Sequence, residues 1–204
     1  MSVFKFNSEL NQQHKQLVWD YWHNEAWQNP ADIQKHLLQY QNQDANWFGF
    51  SPFNQLSSPT AQVDEFWLPL YKAFSDLQRQ THIFIGGSSS GKADGSPDNR
   101  YWVAGTGLFK GLFQQDWQIN HLSIPANQQP IQIRWAEFCR FEEARIVETY
   151  LMLDLIDFFE QIGHLILPPC KGVPGIYPAP ISQDGVLLDN QEQAVTEASL
   201  QLIR

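Results

Sequence analysis

The stretch from Ile131 to Gly163, IQIRWAEFCRFEEARIVETYLMLDLIDFFEQIG, constrains this 204-residue chain more than any other. Two runs rich in β-branched, aromatic and aliphatic residues, 131–141 and 145–156, flank the polar Glu142-Glu143-Ala144, the pattern of an antiparallel hairpin. Strict alternation along the second arm places Ile146, Glu148, Tyr150, Met152 and Asp154 on one face and Val147, Thr149, Leu151 and Leu153 on the other. Both faces are largely apolar, so the strand is covered on both sides. Pairing Phe141 with Ile146 puts Asp154 on the face of Ile133, Trp135, Glu137 and Cys139, while Arg134 and Arg140 have the opposite parity. Inside LMLDLI and away from a guanidinium, Asp154 is expected to be desolvated, with a raised pKa, and to be a candidate proton carrier. An Asp at a strand end can equally cap the turn that follows, DLIDFFEQIG, through backbone amides. The face of Val147, Thr149, Leu151 and Leu153 is too apolar to stand in water. A homodimer packed through this convex face, or its cover by the C-terminal arm, is the expectation.

Composition narrows the function classes. A net charge of −9 and a pI near 5.0 argue against nucleic acid and anionic membrane as partners, which need a basic face. Two cysteines, Cys139 and Cys170, make neither a disulfide framework nor a zinc site, and the six histidines show no ligand spacing. No metal or other cofactor is implied, and a reducing compartment is. The N-terminus MSVFKFNSEL lacks the apolar core of a signal peptide and no apolar run reaches membrane-spanning length, so a cytoplasmic location is expected. Fourteen Phe and eight Trp are many for this length; part must be core, and part can line a pocket for an apolar or flat ligand.

Three helices precede any long strand. The spacing of Leu10, Leu17, Val18, Tyr21, Trp22 and Glu25 predicts a first helix capped by Ser8. Asn29-Pro30 opens a second, burying Ile33, Leu37 and Leu38; His14, His23 and His36 fall at mostly polar positions and are expected in solvent. ANWFGFSPF, 45–53, reads as a short strand or pocket-edge loop around Trp47, Phe48 and Phe50. Ser58-Pro59 caps a third helix with Val63, Phe66, Trp67 and Leu70 inward, kinked or ended at Pro69.

THIFIGGSSSGKA imitates both a phosphate loop and a G-x-S-x-G elbow, but each needs a helix next, and Ala93 followed by DGSPDN is loop. The segment is expected to be a polar hairpin loop between strands 80–86 and 99–108. From Arg100 onward the pattern is a meander: RYWVAGTGLF, then Trp117 to Ile124, then the hairpin, with Gly105, Gly107 and Gly111 as bulges or bends. GTGLFKG lacks the following helix of a dinucleotide fingerprint. Helices first and a curved antiparallel sheet afterwards mean an α+β cone, its concave face closed by three helices.

Helix order and the segment EFCRFEEARIVETYLMLDLIDFFEQIG together resemble the SnoaL-like polyketide cyclases of the nuclear-transport-factor-like, cystatin-like superfamily. Glu137, Phe138 and Arg140 lead into the turn, Ile146, Glu148, Tyr150 and Asp154 follow, and Gln161-Ile162-Gly163 closes the motif; DEFWLPLYKAFSDL, 64–77, is similar to the segment before that family's central strands. Tyr150 stands where Trp is usual and Ala144 where Gly is usual. The resemblance covers about residues 10–165 and implies an α+β barrel with a deep apolar pocket, with Asp154 as acid/base. Intramolecular aldol closure needs a base for the proton α to a carbonyl and an acid for the alkoxide, and one desolvated carboxylate serves both. The fold also hosts isomerases, hydrolases and non-catalytic binders. The expectation is therefore a cofactor-free cyclase, isomerase or hydrolase of an apolar carbonyl compound, or a ligand-binding or interaction module of the same shape. Trp47, Phe50, Phe66, Trp67, Tyr101, His121, Trp135, Glu137 and Tyr150 are the expected pocket residues. Contact of Tyr101, His121, Glu137 or Tyr150 with Asp154 would favour the enzyme, and backbone capping alone the binder.

The remainder, 166–204, lies outside the resemblance. Five prolines between 168 and 180 favour an extended arm, and Val195, Ala198 and Leu202 mark a short helix over 191–203. The arm is expected either to pack on the 1–165 domain or to link it to another module.

Overall fold

In the computed structural model, which describes residues 6–89, 100–168 and 180–203, the Ile131–Gly163 stretch forms strand β7 (Pro130–Glu142), strand β8 (Arg145–Leu153) and helix α5 (Leu155–Gln161). The hairpin pairs as expected at its turn, Phe141 against Ile146, but the next pair is Arg140 with Glu148. Val147 is thus an extra residue, a β-bulge, and one extra residue exchanges the faces of everything beyond it. From Glu148 onward the parity read from sequence is reversed. Thr149 and Leu151 are buried with Trp135, Glu137 and Cys139, while Glu148, Tyr150 and Met152 share the outer face with Arg134, Phe138 and Arg140. Leu151 and Thr149 therefore cannot form an outer interface. The exposed apolar side chains there are Ile83, Ile85 and Phe138.

The hairpin anchors a six-stranded sheet in the order β2-β1-β8-β7-β4-β3, built with β1 (Gln41–Gly49), β2 (Gln55–Leu56), β3 (Gln78–Ser88) and β4 (Tyr101–Leu112). All neighbours are antiparallel except β1, which runs parallel to β8, so the sheet is mixed rather than purely antiparallel. A short separate hairpin, β5 (Trp117–Ile119) with β6 (Leu122–Ile124), turns at Asn120, whose φ of 51° is the left-handed conformation that Asn tolerates. The expected single strand from 117 to 124 is this hairpin.

Helices close one face. Helix α1 (Ser8–His23) is capped by Asn7, whose side chain accepts from the Leu10 amide at 3.0 Å; Ser8 is its first residue instead. It ends at His23, where Asn24 caps a 3-10 turn, Glu25–Gln28. Helix α2 (Ile33–Tyr40) buries Ile33 and Leu37 but leaves Leu38 exposed. Ser58 caps α3 (Pro59–Gln62) as the sequence predicts, its hydroxyl accepting from Ala61 N at 3.1 Å. A π-helical turn, Val63–Trp67, joins α3 to α4 (Leu68–Ala73). Widening here accommodates Pro69, which has no amide to donate and whose ring crowds an ordinary turn. His14 and His36 are not solvated: His14 stacks on Phe141 at 4.2 Å and contacts the Glu143 carbonyl, and His36 Nε2 lies 2.8 Å from the Tyr21 carbonyl.

Residues 183–190 return to the sheet edge. Val186 pairs in parallel with Phe84, Phe84 N donates to Gly185 O and Leu187 N to Phe84 O, satisfying the β3 edge that would otherwise stand open. Lys15 of α1, almost fully buried, fastens this strap by donating to the carbonyls of Leu187 and Asp189. Helix α6 (Gln193–Ile203) follows. Most of the proline-rich arm, with Cys170, and the loop residues Gly91, Lys92 and Ala93 lie outside the described residues.

Candidate functional site

The face between helices and sheet is aromatic, and one ion pair lies in its middle. Arg79 of β3 and Glu137 of β7 meet at 2.8 Å, with side-chain exposures of 7% and 0%. The Arg79 guanidinium lies over the rings of Trp22, Phe109 and Trp135, at 4.9, 4.8 and 4.5 Å. Rings on several sides exclude water from the pair, and their faces attract the cation. Around it stand neutral polar groups. Tyr21 accepts from Gln41 Nε2 at 3.1 Å, Gln41 and Gln62 exchange amide hydrogen bonds, and the Cys139 thiol reaches Glu137 at 3.8 Å. Burial, reinforced by the negative charge of Glu137, pushes the Tyr21 hydroxyl and the Cys139 thiol well up, so both keep their protons. Burial also raises Tyr71, against the opposing charge of Arg79. Cys139 is therefore a poor nucleophile.

Five of the expected pocket residues are in this interior: Trp47, Phe66, Trp67 and Trp135 among its walls, Glu137 at its polar centre. The indole N–H groups of Trp22, Trp47, Trp67 and Trp135 are buried with no hydrogen-bond partner among the described residues. Such donors suit a ligand acceptor, because an unmet buried donor forfeits its hydration.

The other expected residues lie elsewhere. Phe50 is exposed just beyond β1. Tyr101 accepts from the Asn7 amide at 2.8 Å and packs edge-on to His14. His121 is exposed at the β5–β6 tip. Tyr150 faces outward, stacked on Phe48 at 4.8 Å and donating to Glu148 at 2.5 Å. Asp154 is separated from Glu137 by the bulge and sits beside Arg134, contrary to the parity argument. Its Oδ2 accepts from Arg134 Nε at 2.9 Å, and its Oδ1 caps α5 at Asp157 N, 3.0 Å away. At 32% exposure and salt-bridged, it is neither dry nor unpaired. None of Tyr101, His121, Glu137 and Tyr150 is among these partners.

Sequence reasoning missed Arg79. Its signal was the alternation Leu77, Arg79, Thr81, which places a lone arginine on a buried face, but Phe84 continues that face at the wrong parity. A second bulge is the cause: Thr81 pairs with Gly107 and Ile83 with Thr106, leaving His82 as the extra residue.

A concavity of about 480 Å³ lies on the outer face of the sheet. His82, Leu108, Arg134, Ala136, Met152 and Asp154 are among its walls. No group of three or more His, Cys, Asp and Glu side chains among the described residues could hold a metal ion, and no described helix is long and apolar enough to cross a membrane.

The sequence matches no family model and no curated protein. Among solved structures, a candidate SnoaL-like polyketide cyclase from Jannaschia sp. CCS1 superposes with a TM-score of 0.59 at 13% identity, covering 81% of this chain and 99% of that one. AclR, a candidate hydroxylase from Streptomyces galilaeus, gives 0.56 at 18% identity over 95% of this chain and 93% of its own. A SnoaL-like polyketide cyclase from Agrobacterium tumefaciens gives 0.51 at 17% identity over 74% and 98%. The chain thus has the α+β fold of SnoaL-like and nuclear-transport-factor-like proteins, as its last hairpin implied.

Proposed function

We propose that the protein binds an apolar, carbonyl-bearing small molecule between the helices and the sheet, with Arg79 and Glu137 as the polar floor of the site. The observation that carries this reading is the buried Arg79–Glu137 pair, ringed by Trp22, Phe109 and Trp135. A buried ion pair seldom improves on apolar packing, so its presence here speaks for use. Trp27 of the 3-10 turn and Tyr71 of α4, stacked at 6.1 Å, are among the less deeply buried rings, and a ligand would enter by parting them. Arg79 and the unpartnered indole N–H groups would hold the carbonyl oxygen.

The acid/base role expected of Asp154 passes in this reading to Glu137. Its carboxylate would take the proton α to a bound carbonyl, while the adjacent guanidinium would stabilise the enolate. Proton abstraction of this kind is the first step of cyclisation and isomerisation alike, so the reading commits to enolisation and not to a named product.

A thermal-shift screen of polyketide-like and terpenoid ketones tests binding, because a native-state ligand raises the melting temperature. For each hit, exchange of the α-hydrogens for deuterium, followed by NMR, tests proton transfer. Hits that quench tryptophan fluorescence and exchange their α-hydrogens with the wild type, but not with Glu137→Gln, support the site. Hits unaffected by Glu137→Gln place binding elsewhere and defeat it.

A further inference from the structure

The groove on the outer face is built by two irregularities of the sheet. At His82 the extra residue swings an imidazole over the face that Ile83 also occupies. The chain can close up there only because residue 107 is glycine: a Cβ on Gly107 would lie 1.9 Å from the Gln80 carbonyl oxygen. At Val147 the other bulge turns Met152 and Asp154 outward. The first part of the GTGLFKG segment thus has a structural use, as backbone that admits the β3 bulge.

Polar groups stand at the two ends of this groove and apolar ones between them. His82 Nε2 is buried with no partner among the described residues, and burial together with the nearby Lys110 charge lowers the imidazole pKa, which keeps it neutral. On the far side, Arg134 spends Nε and Nη2 on Asp154 and lies 3.5 Å from Asp157, so its charge is compensated twice over. Leu108, Ala136 and Met152 form the floor between. Strands β3, β4, β7 and β8 lie side by side, which sets the ends about 14 Å apart at three inter-strand spacings. An anionic ligand finds no uncompensated cation at the Arg134 end, and Lys110, whose charge is felt at His82, is not among the residues that line the groove. A carboxylate offers about four acceptor sites, and Asp154 has spent some of them on Arg134 and Asp157, leaving capacity for a hydroxyl donor.

We infer that the outer-face groove is a second small-molecule site, distinct from the interior, for an uncharged, rod-like or flat apolar compound with a hydroxyl at each end. One hydroxyl bonds His82 Nε2 and the other donates to Asp154, with the rings lying on Leu108, Ala136 and Met152. Its volume is within the range of pockets that hold such molecules.

The probe is 4,4′-dihydroxystilbene, titrated against the full chain by calorimetry and ligand fluorescence, with 4-hydroxystilbene and stilbene as comparators. Saturable one-to-one binding is expected, weakening about fivefold for each hydroxyl removed, the worth of one neutral hydrogen bond. Ala136→Trp, which fills the groove floor, should weaken binding by about tenfold or more, and His82→Leu should erase the difference between the dihydroxy and monohydroxy probes. Glu137→Gln should leave binding unchanged, which separates this site from the interior one. Circular dichroism checks that each variant is folded, and the His82 comparison stands even if Ala136→Trp is not. Absence of saturable binding overturns the inference. So does binding that responds to Glu137→Gln but to neither groove variant. A third overturning result is Ala136→Trp converting a sedimenting dimer to a monomer without changing probe affinity, which would make the face an interface between copies.

Discussion

Two arginine–carboxylate pairs of the same length, 2.8 Å, sit on opposite faces of the sheet, and their surroundings give them opposite weights. Arg79 and Glu137 are shut among rings, whereas Arg134 and Asp154 are 42% and 32% exposed. In the dry interior each charge depends on its partner, since nothing else replaces its hydration. On the wet face, water competes for both groups and the pair adds little beyond holding α5 to the end of β8. Distance alone does not say what an ion pair does.

The largest effect that can break this comparison is removal of the interior carboxylate. Glu137→Ala leaves a buried guanidinium unpaired and should cost about 3–5 kcal/mol of unfolding free energy, read by urea denaturation. Replacing both partners, Arg79→Met with Glu137→Leu, should recover most of that loss, because apolar groups of similar volume often substitute for a buried pair at little cost. If the double variant is no better than the single one, the pair has a stability role beyond mutual compensation.

Gly107→Ala probes the strand next to both pairs. A methyl group at 1.9 Å from the Gln80 carbonyl cannot be accommodated without moving backbone, so a loss of roughly 1–3 kcal/mol is expected, together with loss of the groove described above. A neutral outcome would mean that the β3 bulge relaxes freely.

The outer pair should respond weakly. Asp154→Asn keeps a good helix cap while deleting the charge, so it should change stability by less than about 1 kcal/mol in either direction; Asp154→Ala, losing the cap as well, should cost about 1 kcal/mol. A loss as large as that of Glu137→Ala would erase the distinction between the faces.

Acid sensitivity sharpens the same contrast at smaller scale. Burial lowers the pKa of His14 and of His36 below the ordinary value of 6.5, so both are held neutral in the fold. The unfolded chain then binds more protons than the native one once the pH falls below about 6.5. Their contribution to stability is fully present above that pH and declines as the pH falls toward the folded-state values. His14→Phe and His36→Phe, which cannot protonate, should flatten that part of a melting-temperature profile between pH 7 and 5. Unchanged slopes would show that groups other than His14 and His36 control acid unfolding.

Local chemistry was legible from the residues. Ser58 before Pro59 marked a cap, Val18, Tyr21 and Trp22 marked a buried helical stripe, and the two apolar arms around Glu142–Ala144 marked the hairpin, because caps, helical periodicity and turns depend on neighbours within a few positions. The aromatic interior followed from the same patterns, as did the fold that the last hairpin resembles; the order of elements did so only in part, because the nine-residue strand β1 precedes the third helix. Facing was not legible. Alternation assigns a face only while every residue of one strand opposes one of the next, and the extra residues Val147 and His82 break that count. A bulge is fixed by how neighbouring strands, glycines and covering helices fit together, and no signal within the strand itself announces it. Hence the sequence determined that this chain holds a carboxylate-bearing aromatic core under helices, and only the tertiary structure decided that Glu137 with Arg79, rather than Asp154, occupies it.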